Sequence, residues 1–202
     1  MALTNAYTTL NAVKAALRIT DAVDDTLIEV AIDSASRAID GYCQRTFYNA
    51  GTATRYFAAG DELVCQIDDL AGTAVTIASD EAAQGDYDIV WTPADYQLEP
   101  LNGMLAGQTW PFTRIRARLN YLFPVENELA LVKVTGVWGW PTIPKAIEYA
   151  CILQSQRFFK RFDSPTGVLG FGDMGAIRVA RNLDPDIAQS IDQFRKEGYG
   201  VA

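Results

Sequence analysis

The chain has 202 residues, of which 49% are hydrophobic and 21% charged, with a formal net charge of −8 and no histidine. This is ordinary globular composition for one or two domains. The missing histidine removes the usual general base, the commonest zinc ligand and any Ser-His or Cys-His nucleophile pair. The acidic balance gives no basic stripe for phosphate, so the chain either ignores DNA or lets it slide past.

The predicted elements begin with a short helix capped by Thr8 or Thr9 and running to about Leu17. A longer helix follows in DDTLIEVAIDSASRAIDGYCQRTF and ends near Gln44. Thr26 and Glu29 have capping-box spacing, and Asp24 and Asp25 suit the positive helix end. Leu27, Ile28, Ala31, Ala35, Ala38, Ile39 and Tyr42 form its apolar face. Asp33 and Arg37 stand one turn apart on the polar side.

From about Tyr48 to Gly139 the pattern changes to short strands. TATRYFAA, ELVCQI, AVTIAS, YDIVW, TRIRARLN and ELALVKVTGVWG often alternate and are separated by Gly, Asp and Asn. PLNGMLAGQTWPF is a long loop or arm. Helix returns from Pro144, whose missing N–H costs nothing in a first turn, and runs to about Phe162. FDSPTGVLGFGDMG is a Gly-rich loop and AIRVAR a brief strand. The last helix has Asp184 as cap and Pro185 at its first position. The fold class expected is α+β, a helical body with an inserted antiparallel β-rich domain. Its parts are residues 1–47, the insert 48–139, a body helix 140–163 and a C-terminal segment 164–202.

No apolar run approaches the roughly 20 residues that span a bilayer. The N-terminal stretch lacks a basic n-region and an apolar h-region, so no signal peptide and a cytoplasmic compartment are expected. The widely spaced Cys43, Cys65 and Cys151 form no metal or disulfide pattern. Cys43 and Cys151 read as small core residues.

The candidate chemistry is thin. GFGDMG, from Gly170 to Gly175, matches GxGxxG but follows a helix, whereas phosphate cradling needs a strand before it and a helix after it. Asp24/Asp25 and Asp68/Asp69 could bind a divalent cation, but capping and turn chemistry explain them. Arg114, Arg116 and Arg118 line one strand face, for phosphate or, better in so acidic a chain, for pairing across an interface with acidic neighbours. Arg157, Lys160 and Arg161 sit at a helix C-terminus, where the macrodipole explains them better than lining a DNA path does. Trp138 and Trp140 could stack on sugars or bases, meet a neighbouring subunit, or be buried where the insert joins the helical body.

The stretch ITDAVDDTLIEVAIDSASRAIDGYCQRTF resembles the head-to-tail connector (adaptor) proteins of tailed bacteriophages. So do GVWGWPTIP, RFDSPTGVLGFGDMG and RNLDPDI near the C-terminus. The resemblance covers somewhat over half of the chain, and its pieces are diagnostic in combination. It implies a non-enzymatic virion protein at the head–tail junction, made in the host cytoplasm, with no cofactor, metal or membrane. Such proteins form a ring of about twelve copies under the portal. The ring extends the channel for passing double-stranded DNA and docks the next neck or tail protein. The residues assigned to portal docking are Phe171, Asp173, Ile177, Arg178, Arg181 and Leu183. Trp138, Trp140, Arg114, Arg116 and Arg118 are assigned to subunit contact or insert–body packing. Removing residues 176–202 is expected to leave a folded protein that no longer binds portal. The competing readings are another neck component such as a stopper or tail-completion protein, a carboxylate enzyme using Asp24, Asp25, Asp68 or Asp69, and a carbohydrate-binding module using Trp91, Trp110, Trp138 or Trp140.

Overall fold

The computed structural model describes residues 3–105, 108–126, 128–162, 168–169, 177–178 and 183–196. Helix α1 spans Leu10–Leu17, and the Thr9 hydroxyl accepts from Ala12 N at 3.2 Å. Arg18 closes it in the left-handed region, with Ile19 N donating to Lys14 O. Thr9→Ala is expected to cost about 1 kcal/mol of stability, read as a shift in the urea midpoint.

Helix α2 spans Asp25–Cys43, and Gln44 ends it at φ 52°. Its start corrects the capping-box expectation. The cap position falls to Asp24, and Thr26 lies inside the first turn with helical backbone, where its hydroxyl cannot cap. The buried face is also turned from the one expected. Ile28, Ala31, Ile32, Ala35, Ser36, Ile39 and Cys43 are buried, whereas Leu27 and Val30 remain exposed. The polar Ser36 can face inward because its hydroxyl donates to Ile32 O and accepts from Tyr7 N. Arg37 meets Asp40 at 3.0 Å and donates to Asn5 O.

The middle of the chain is strand-rich: β1 Asn49–Phe57, β2 Val64–Leu70, β3 Thr76–Ser79, β4 Ile89–Trp91, β5 Tyr96–Glu99, β6 Met104–Leu105, β7 Gln108–Thr109, β8 Phe112–Ala117 and β9 Val132–Gly139. Seven of them form one antiparallel sheet in the order β4-β3-β9-β2-β8-β5, with β1 paired to β9. β6 and β7 make a separate hairpin inside the stretch read as a loop or arm. Helix α3 spans Lys145–Phe162, the strand pair β10 Val168–Leu169 and β11 Ile177–Arg178 follows, and α4 Pro185–Ile191 runs into a 3₁₀ turn at Asp192–Phe194. The fold class is α+β, as expected.

The chain divides into two compact units. Met1–Phe47 with Ile143–Ala202 form the helical unit, and Tyr48–Thr142 the β unit. In the helical unit Val13, Ile28 and Ile32 pack with Leu10, Leu17, Ile152 and Phe159. Phe47 lies edge-on to both Tyr7 and Phe194. The Tyr7 hydroxyl donates to Asp40 and accepts from Phe47 N, and burial pushes both Tyr7 and Asp40 above their ordinary ranges. In the β unit Cys65, Leu70, Ile77, Ile115, Val132, Val134 and Trp138 form one core, with Trp91 stacked on Phe123 at 4.5 Å. Gly139 sits at φ 96°, and a Cβ there would lie 2.0 Å from Tyr48 O, so only glycine lets β9 pass the start of β1.

Candidate assembly interface

The aromatic corner of GVWGWPTIP is interior to the β unit. Trp138, next to last in β9, is fully buried, donates from Nε1 to Ala53 O at 2.7 Å and carries the Arg55 guanidinium over its ring at 4.6 Å. Trp140 is equally enclosed, stands 5.1 Å from the Trp110 ring and donates to Asp69 at 3.0 Å. Trp91 is buried too and donates to Ser79. These three indoles offer no open ring face to a sugar.

The arginine strand alternates as its sequence requires. Ile115 and Ala117 face inward on β8. On the other face Arg116 meets Glu99 of β5 at 2.7 Å and Arg114 approaches the same carboxylate at 3.8 Å. Arg116 holds the Glu99 carboxyl below its usual range. The acidic partner is Glu99 of the same chain, on a strand that sequence periodicity missed. The strand ends at Ala117, and Leu119 beyond it is exposed at φ 57°.

The basic residues at the end of α3 do more than face a helix dipole. Arg157 forms 2.8 and 2.6 Å pairs with Asp184 and Asp186, and Arg161 meets Asp184 at 2.6 Å. This grip explains why Asp184, the cap of α4, makes no side-chain cap bond. Leu183 is buried beside it, as are Ile187, Ile191 and Phe194. Arg157 holds the Asp186 carboxyl at about 2, against an ordinary value of 3.8. A carboxylate with a lowered folded-state pKa stabilises the fold above the unfolded value and loses that contribution as pH falls through the folded one. Docking of α4 is therefore expected to weaken between about pH 4 and pH 2. The probe is hydrogen exchange of the α4 amides across that range, with Asp186→Asn expected to flatten the dependence.

The helical unit also carries an open apolar groove of about 330 Å³ between α2 and α3. Leu27, Val30, Ala31, Ser34, Phe158, Phe159 and Phe162 line it. No sequence signal marked it, because a pattern search assigns apolar helix positions to the core by default.

The acidic pairs have structural partners. Asp25 meets Lys14, Asp68 meets Arg55 and Asp69 accepts from Trp140. Among the described residues no group of acids and thiols is arranged to hold a metal. Cys43, Cys65 and Cys151 are buried, and burial pushes Cys43 and Cys65 up to about 12, far from thiolate formation at neutral pH. Phe171, Asp173 and Arg181, and the GFGDMG stretch, lie outside the described residues. Ile177 and Arg178 form β11.

The geometry defines an α+β protein of two compact units. Residues 7–74 match the family model described as phage gp6-like head-tail connector protein, which bears out the resemblance seen in the N-terminal stretch. The matched segment covers α1 to β2 and stops before the C-terminal pieces that carried the rest of the resemblance. No curated protein matches the chain. Three solved structures share its fold across 100% of this chain and 96% of theirs. One is from the neck of an empty GTA particle computed with C6 symmetry, at 14% identity and a TM-score of 0.56. Another is from the virion of a native gene transfer agent (GTA) particle, at 16% and 0.55. The third is from the neck of a native GTA particle computed with C12 symmetry, at 16% and 0.51.

Proposed function

We propose that the chain is a structural head-to-tail connector of a phage or phage-like particle, sited in the virion at the head–tail junction. The observation that carries the reading is the family match over residues 7–74. The fold shared along the whole chain with neck proteins of gene transfer agent particles supports it. In this reading about twelve copies form a closed ring under the portal, extend the DNA channel and receive the next neck protein. The net charge of −8 suits a wall that DNA must pass without sticking.

The segment from Asp163 to Arg181 is the proposed portal contact, with Phe171, Asp173, Ile177, Arg178 and Arg181 as its docking residues. Leu183, also assigned to that contact, is buried next to the Arg157–Asp184 pair. Exchanging residues 164–181 for a Gly/Ser linker of equal length is expected to abolish binding to portal rings and leave the melting curve of the chain in place. Undiminished portal binding by that variant would refute the assignment.

A further inference from the structure

Helix α3 presents two unlike surfaces on opposite sides. Phe158 and Phe162 face the groove shared with Leu27 and Val30 of α2, where Val30 is 52% and Phe162 67% exposed. Tyr149 is 63% exposed, and Lys145 and Lys160 are exposed with it. At about 100° per residue, Lys145, Tyr149 and Lys160 fall within about 60° of one another, and Phe158 lies about 180° from Tyr149. The charges of the two surfaces also differ. From Asp21 to Ser36 the chain carries Asp21, Asp24, Asp25, Glu29 and Asp33 and no lysine or arginine. Asp25 is engaged by Lys14. The Tyr149 stripe carries two lysines, one of them in an exposed 2.6 Å pair with Glu148 that has little energetic worth.

We infer that the Tyr149 stripe of one copy packs into the α2–α3 groove of the next. The contact puts an aromatic ring into an apolar slot and brings Lys145 and Lys160 to the acidic side of α2. A surface given on one side of a helix and received on the other makes a heterologous contact, which repeats from copy to copy and closes into a ring where the rotation allows. The inference rests on the ring reading and names the faces that build it. Tyrosine in a desolvated pocket is the kind of residue that dominates such interfaces.

Cysteine trapping tests it. Val30→Cys and Tyr149→Cys in one chain should give a ladder of covalent oligomers under mild oxidation, whereas either substitution alone should stop at a dimer. The native thiols are buried and stay silent. Separately, Tyr149→Asp should raise the concentration needed for assembly by about tenfold or more and leave the melting temperature unchanged. If wild-type chains form rings but the double variant gives no ladder, or Tyr149→Asp assembles like wild type, the inference is wrong, the ring stands and the groove belongs to another neck component. A ladder from chains that never close would keep the contact and remove the ring. Neither ladder nor ring would remove both.

Discussion

Trp138→Ala is expected to cost the β unit about 3–5 kcal/mol, the range for emptying a buried aromatic site. The ring is fully enclosed and packs against Phe57 at 5.5 Å, within a core that also holds Leu70, Ile77 and Val134. Its loss opens a cavity, removes the bond to Ala53 O and leaves the Arg55 guanidinium without the ring beneath it. For a unit of this size the melting temperature should fall by on the order of 12 °C or more. Trp138→Phe keeps most of the volume and loses the hydrogen bond, so about 1 kcal/mol is expected beyond the repacking cost. A Trp138→Ala variant that unfolds within about 1 kcal/mol of wild type in urea would show that the corner is not part of the core.

A chain ending at Asn182 is expected to lose its folded helical unit. The cut removes Leu183, Ile187, Ile191 and Phe194, all buried. At about 1.5–3 kcal/mol for each buried apolar side chain, the loss approaches the whole stability of an ordinary domain. It also takes Asp184 and Asp186 from Arg157 and Arg161, and the amide of Lys196 from Cys43 O. Cutting before residue 176 removes these same groups. The expectation that such a truncation stays folded is therefore corrected, and a portal-binding defect in it would report unfolding rather than a lost docking site. Loss of helical circular dichroism and of a cooperative melt checks this. A truncated chain that melts like the full one would contradict it.

The architecture was legible where local signals agree with the packing. Thr9 caps α1, Pro144 precedes α3 and Pro185 opens α4, because cap and proline chemistry are set by neighbours in sequence. Period-2 alternation located β8 through Ile115 and Ala117. β5 escaped notice because four residues following a turn hold only two inward positions, Tyr96 and Leu98. The capping box failed because two aspartates precede Thr26 and the helix starts one residue before it.

The surfaces were less legible than the fold. Arg157 and Asp186 are 29 residues apart in the chain, and no local pattern announces their pairing. Phe162 and Val30 look like core residues in a hydrophobicity count, yet both stay exposed, since only tertiary packing decides which apolar positions remain open. The resemblance to connectors rested on a combination of pieces that composition could only permit, and the family match covers its N-terminal stretch.

The most direct measurement is mass photometry of the purified full chain, alone and mixed with portal rings from the same genome. A closed ring on the portal gives a species heavier than the portal by about twelve copies of the chain. A chain that stays monomeric and leaves the portal mass unchanged would contradict it.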